Sequence, residues 1–178
     1  MKSTKKLTGI VVLVIAVLVL GFQFINGTGP FSGGESSNES KALGDKEKVH
    51  VKRVVDGDTL VAIDSKNQEI KVRLVGVDTP ETVKPNTPVQ PYGKEASQFT
   101  KKALTNKDVY LEYDKEPKDR YGRTLAYVWL NDKEMFNEQL VAKGLARAKY
   151  YAPNGKYRSL FEKREKEAQS KKLNIWSK

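Results

Sequence analysis

The chain contains no cysteine. That absence excludes disulfide staples, thiolate zinc sites and a cysteine nucleophile. It also suits an extracytoplasmic setting, where a free thiol is exposed to oxidation. Histidine is nearly missing as well: the single one is His50, at the start of a strand-like run. A zinc site built on imidazoles needs more than one, and no second histidine exists to act as a catalytic base, so His50 is read as structural or solvated. Acidic residues are in deficit, 22 Asp and Glu against 32 Lys and Arg, which gives a formal net charge of +10. Residues 1–48 hold six Lys and four acidic residues, so most of the excess lies in the remainder. A domain this basic favours a polyanionic partner, because Lys and Arg displace the counterions condensed on phosphates.

Long apolar runs are lacking with one exception. Lys2, Lys5 and Lys6 precede LTGIVVLVIAVLVLGFQFI, nineteen residues (7–25) without a charge. About 20 such residues cross the hydrocarbon core of a bilayer as a helix, and the lysines belong on the cytoplasmic side. The segment reads as an uncleaved anchor, with a cleaved signal peptide as the rival reading. The adjoining NGTGPF has small residues but no A-x-A pattern. Either reading exports the rest of the chain. Residues 26–47, NGTGPFSGGESSNESKALGDKE, bury too little apolar surface to offset their ordering entropy and are expected to form a flexible linker. The expected organisation is therefore a basic stub (1–6), an anchor or signal peptide (7–25), a linker (26–47) and one folded domain (48–178), expected to be monomeric.

From His50 the pattern changes. HVKRVV, TLVAI and EIKVRLVGV alternate, are rich in β-branched residues and are separated by the turn signals DGD and DSKNQ. In the third run Ile70, Val72 and Leu74 share one face, while Lys71 and Arg73 take the other. YGKEASQFTKKALTN places Ala96, Phe99, Ala103 and Leu104 at helical spacing. KDVYLEY and RTLAYVWL read as two further strands. EMFNEQLVAKGL is a second helix, with Met135, Phe136, Leu140 and Val141 apolar and a stop at Gly144. ARAKYYAPNG reads as an irregular or short extended connection. KYRSLFEKREKEAQSKK is a third helix, presenting Tyr157, Leu160, Phe161, Arg164 and Ala168 on one face. Ile175 and Trp176 are expected to dock the tail. The fold class is mainly β with helices (α+β). Five strands, with a helix between the third and fourth, lay out a small closed barrel of the OB type with three helices.

Three segments at strand edges carry the chemistry: DGDT (56–59), RLVGVDTPE (73–81) and DRYGRTLAY (119–127). Their charged residues are Asp56, Asp58, Arg73, Asp78, Glu81, Asp119, Arg120 and Arg123. Carboxylates beside arginines suit a phosphodiester substrate. Water attacking an anion is opposed by charge, and a hard divalent cation beside a non-bridging oxygen offsets it. Hard cations take oxygen ligands, which carboxylates of these segments can supply. Arginine grips phosphate oxygens through two nitrogens at once. A glutamate is ionised at neutral pH and can orient water or accept its proton, a role open to Glu81. Asp56, before a glycine in a hairpin turn, reads as turn chemistry, and Asp119 as a loop charge near Arg120. In the loop 82–94 Lys84 is open to two readings, a contact to the nucleic-acid backbone or a solvated charge.

At these residues the sequence resembles the staphylococcal nuclease (thermonuclease) family. The resemblance is carried by VVDGDTL, VRLVGVDTPET, YGKEASQFTKKAL, DRYGRTLAYVW, NEQLVAKGLARAKYY and KEAQSKKLNIWSK, in order and spacing, from about Val51 to Lys178. It implies an OB-fold, Ca²⁺-dependent phosphodiesterase acting on DNA and RNA and leaving 3′-phosphate ends. It further implies Asp58, Asp78 and the Thr79 carbonyl as calcium ligands, Glu81 as the residue that positions or deprotonates water, and Arg73 and Arg123 on the phosphate. Arg120, where the family commonly has lysine, keeps the charge. Tyr121 and Tyr150 would contact the nucleotide, Tyr151 standing as the alternative because this tyrosine loop is one residue shorter than usual. The competing expectation is a non-catalytic OB module that binds single-stranded nucleic acid. Its difficulty is electrostatic: Asp58, Asp78 and Glu81 repel phosphate unless a cation lies between.

Overall fold

The computed structural model describes residues 45–82 and 88–177, which fall within one unit, Leu43–Lys178. The anchor segment, most of the linker and Lys84 lie outside the described residues. Among the described residues no helix is long and apolar enough to cross a membrane.

Among the described residues seven strands and three α-helices succeed one another in chain order: β1 (Glu47–Asp56), β2 (Thr59–Ile63), β3 (Glu69–Leu74), β4 (Val77–Asp78), α1 (Gly93–Leu104), β5 (Asp108–Glu112), β6 (Thr124–Trp129), α2 (Phe136–Ala142), β7 (Arg147–Ala148) and α3 (Arg158–Ser170). A short 3₁₀ turn, Asn174–Trp176, ends the tail. β1, β2, β3, β6 and β5 close into a barrel in that order. This is the five-strand layout anticipated from alternation. Two details differ. β1 begins at Glu47, inside the stretch read as linker, because Glu47 pairs with Leu111 of β5. The run EIKVRLVGV is broken at Gly76, so Val77–Asp78 form a separate strand paired with β7 in the ARAKYYAPNG segment, the short extended connection of the two alternatives.

The barrel is filled by the alternation the sequence displayed. Val51, Leu60, Val72, Leu74, Leu111 and Val128 are all at most 1% exposed, and burying each such side chain is worth about 1.5–3 kcal/mol. α1 packs Ala96 and Leu104 into this core, with Phe99 stacked on Phe136 of α2 at 5.6 Å. α3 covers the outer face of β6 with Phe161, which meets Tyr127 at 6.1 Å. Arg164 bridges Glu138 of α2 at 2.6 Å and Glu167 of α3 at 2.9 Å. The tail docks through Ile175 N–H, which donates to Gly144 O at 3.1 Å, and through Arg147 lying over the Trp176 ring at 4.3 Å.

The barrel matters for function because three strand ends converge. β3 and β6 run parallel with Arg73 opposite Leu125. Arg123, the residue just before β6, therefore lies two residues back from the position opposite Arg73. Gly57 lies in the β1–β2 turn, where a Cβ would meet Thr79 Oγ1 at 2.7 Å; only glycine lets the 78–81 segment approach this closely. Gly76, with φ at +76°, reverses the chain between Arg73 and Asp78, and a Cβ there would strike the Phe161 ring at 2.5 Å. Two buried side chains lock these turns. Thr100 of α1 donates to Gly57 O at 2.7 Å. Asn137 of α2 accepts from Val128 N at 2.8 Å and donates to Val75 O at 2.8 Å.

Asn137 is fully buried, so losing its amide leaves two backbone groups unpaired. Asn137→Leu, which keeps the volume, is expected to lower unfolding free energy by about 2–4 kcal/mol. Urea unfolding with an unchanged m value checks this; a loss below about 0.5 kcal/mol would show that the amide carries no such load.

Candidate active site: two carboxylates on one guanidinium

Arg73 is the penultimate residue of β3 and is 9% exposed. Strand alternation puts it on the face opposite Val72 and Leu74, yet that face is not open to water here. A buried guanidinium has to be paired and hydrogen-bonded. Its Nη1 donates to Leu74 O at 2.5 Å and Val77 O at 2.9 Å. Its Nη2 meets Asp58 Oδ2 at 3.1 Å and Asp78 Oδ1 at 3.2 Å. The carboxylates on separate turns are thus brought to a common atom.

Each acid has further partners. Asp58 is buried; its Oδ1 accepts from Thr59 Oγ1 at 3.0 Å and its Oδ2 from the Thr79 N–H at 3.0 Å. The Asp58 carbonyl is fastened to β3 by Leu74 N–H at 2.9 Å. Asp78 gives its second oxygen, Oδ2, to Lys149 Nζ at 3.0 Å. Thr79 Oγ1 is buried with no hydrogen-bond partner. Among the described residues no group of three or more His, Cys, Asp or Glu side chains is gathered to hold a metal. What the protein offers is a pair of carboxylates and nearby backbone oxygen. That donor set is all hard oxygen, and its two acids lie within 3.2 Å of one Arg73 nitrogen, so its chemistry fits a hard divalent cation completed by water and substrate oxygens.

Glu81 follows Asp78 by three residues, on a loop tied by its own backbone: Glu81 N–H donates to Gln90 Oε1 at 2.9 Å, and Gln90 N–H returns to Glu81 O at 3.0 Å. Asp56 was read from sequence as turn chemistry, and one bond is of that kind, from Gly57 N–H at 2.7 Å. The same carboxylate also takes the Thr82 hydroxyl at 2.6 Å and is 6% exposed. Burial pushes its pKa up from the ordinary value near 3.8. The bonds from Thr82 and Gly57 oppose that rise, and a hydrogen bond with the Glu81 carboxyl adds to it. Asp56 therefore holds the loop that carries Glu81. Sequence reasoning missed this, since nothing in DGDT shows that its first acid reaches residue 82.

Arg73 and Arg123 line one cleft of about 630 Å³ with Lys118, Arg120, Tyr121 and Tyr151. Asp119 proves to be the partner of Arg123, not of Arg120. Its Oδ2 accepts from Arg123 Nε at 2.7 Å, and its Oδ1 accepts from the N–H groups of Arg123 and Tyr121, both at 2.9 Å. Burial disfavours the Asp119 charge, but these donors outweigh it and hold its pKa below the usual carboxylate range. Arg120 stacks on Tyr121, which is 69% exposed. Of the tyrosines considered, Tyr151 lies in this cleft, whereas Tyr150 lines a neighbouring depression under Arg158, 4.8 Å from its ring. The loop bearing both is pinned by Asn154, which exchanges hydrogen bonds with the Glu116 backbone at 2.8 Å each. His50 pairs with Asp108 on the solvent side of the β1–β5 pairing.

A family model described as staphylococcal nuclease homologue matches residues 71–178. The chain is 64% identical over 169 residues to a thermonuclease of Staphylococcus intermedius, covering 95% of this chain and 96% of that protein. It is 56% identical over 170 residues to a thermonuclease of Staphylococcus hyicus, covering 96% of each. A third relative, endonuclease YncB of Bacillus subtilis, is 45% identical over 145 residues, covering 80% of this chain and 66% of that one.

The raised pKa of Asp56 has a sign that can be tested. Below about pH 3.8 the acid is neutral folded and unfolded, and its ionisation costs nothing. Above that value the unfolded chain ionises first, so the native state loses stability relative to it as pH rises through the folded pKa. Asp56→Asn keeps the shape and removes the charge. In chelator, the stability of this variant minus that of the wild type is expected to grow as pH rises above about 4. A difference that stays constant from pH 3 to 7 would contradict the burial argument.

Proposed function

The chain belongs to the staphylococcal nuclease family, and we propose that it is a nuclease: a Ca²⁺-dependent phosphodiesterase that cuts DNA and RNA internally, with little sequence preference, and leaves 3′-phosphate ends. The single observation that carries the reading is the meeting of Asp58 and Asp78 at one Arg73 nitrogen, beside a cleft that also contains Arg123. Asp58, Asp78 and the Thr79 carbonyl would hold the calcium ion, which when bound offsets the negative charge of the phosphate and of the attacking oxygen.

The rest of the chemistry belongs to side chains. Arg73 and Arg123 take phosphate oxygens, and their hold tightens as charge grows on those oxygens in the transition state. Asp119 steadies Arg123 by its Nε edge. Glu81 orients the attacking water and accepts its proton. Tyr121 and Tyr151 offer ring faces on which any base can stack, and Arg120 and Lys118 add cationic contacts, which supports broad specificity. Lys84 is proposed to meet the backbone from outside the described residues, and the apolar segment 7–25 to export the domain, as a membrane anchor or a cleaved signal. The binding-module reading gains nothing from Asp58 and Asp78, whose charges oppose a polyanion unless a cation intervenes.

Denatured DNA incubated with the full chain is expected to fragment with calcium and to survive in excess chelator. Magnesium is expected to substitute poorly, because it demands tighter octahedral geometry and keeps its waters. A mobility shift without fragmentation at any calcium concentration would transfer the chain to the binding-module reading. Glu81→Gln is expected to lower kcat about 10²–10⁴-fold with KM changed only a few-fold; an unchanged kcat would remove Glu81 from the mechanism. Arg123→Ala is expected to lower kcat/KM on a comparable scale.

A further inference from the structure

Asp78 has both carboxylate oxygens occupied by cations of the protein itself, and the two cations are held very differently. Arg73 is buried, fixed by two backbone carbonyls and also bound to Asp58. Lys149 reaches Asp78 Oδ2 at 3.0 Å from a side chain that is 48% exposed. Its backbone is pinned: Lys149 N–H donates to Gly76 O at 2.9 Å, extending the β4–β7 ladder in which Val77 faces Ala148 and Asp78 faces Arg147. From that fixed origin the ammonium lies between the Asp78 carboxylate and the Tyr151 ring, 5.3 Å from its centroid. Tyr151 is a wall of the cleft that contains Arg73 and Arg123.

We propose that Lys149 is a built-in counter-ion that occupies an oxygen of Asp78 needed by the divalent cation, and that it moves to a phosphate of the bound polynucleotide when that cation arrives. The proposal rests on the calcium reading of the same site. A dication on the Asp58–Asp78 pair repels an ammonium at hydrogen-bond distance, and of the two resident cations only Lys149 is free to leave. Its stem is long and flexible, its head is half solvated, and it makes one ion pair where Arg73 makes two. Tyr151 marks the direction in which the head has a second partner. Lys149 thereby weakens calcium binding to the free protein and strengthens polynucleotide binding to the calcium-loaded one. The two ligands favour one another by the same factor in each direction. A static surface ion pair would do neither.

Calorimetric titration of calcium into the full chain without nucleic acid separates these cases. Lys149→Met keeps the stem and removes the charge; it is expected to tighten calcium binding about three- to tenfold. Lys149→Arg keeps a cation and is expected to stay within about twofold of wild type. Calcium binding that is equal or weaker in Lys149→Met overturns the counter-ion role. The second arm uses the Glu81→Gln background with calcium and a single-stranded oligonucleotide. Adding Lys149→Met is expected to make the slope of log K against log salt shallower by about 0.7, one phosphate contact on a single strand. An unchanged slope overturns the transfer to phosphate. The underlying reading fails separately: if wild type gives no calcium heat that Asp78→Asn abolishes, the site is not a calcium site, and this inference falls with it.

Discussion

A buried guanidinium is the constraint on which the site depends. Arg73 sits at the end of a barrel strand with almost no access to water, and an unpaired charge there would be prohibitive. The chain answers with two carbonyls of its own turn and two carboxylates from different turns. Satisfying the arginine and gathering the acids are therefore one event. Neither acid can turn away without leaving a buried cation short of a partner. Nor can Arg73 be removed without leaving Asp58 and Asp78 to repel one another across a short gap.

Everything that holds this node in place belongs to the barrel and its covering helices. The parallel pairing of β3 with β6 carries Arg123 to the same side as Arg73. Thr100 from α1 and Asn137 from α2 reach into the barrel wall and bind the backbone of the turns on either side of the node. α3 is itself locked to the barrel by a polar cluster. Glu112 accepts from Trp129 Nε1 and the Tyr157 hydroxyl and pairs with Lys156. Burial, and then Glu112, push the Tyr157 pKa up to about 12. That cluster fixes the start of α3, and Asn154 fixes the loop before it, so Tyr151 enters the cleft on a rigid support. Helices that touch no substrate thus set the geometry of the residues proposed to do so.

The charge distribution divides the labour. A net charge of +10 draws a polyanion from a distance but cannot say where it is cut. The local arrangement at the site is opposite in character: acids at the centre, cations around them. Such a centre is hostile to phosphate alone and becomes receptive when a dication joins it. The two resident cations on Asp78 differ in burial and in how many groups hold them, and the proposed exchange for a dication depends on that difference.

Much of this was legible in one dimension. Periodicity of two marked five strands, and periodicity near 3.6 marked three helices, because each element must turn one face to the core; Val51, Leu60, Val72 and Leu111 are buried as alternation required. The DGDT, RLVGVDTPE and DRYGRT segments marked the candidate site, since they place acids beside arginines at strand ends. What the sequence could not determine were contacts between residues far apart in the chain. Asp56 binding Thr82, Asp119 choosing Arg123, Tyr151 and not Tyr150 entering the cleft, and Lys149 capping Asp78 each depend on where a turn places a side chain within a few ångströms. Local patterning records which face a residue presents. Pairing partners are decided by closure of the barrel, which brings strand ends together without regard to their separation in sequence.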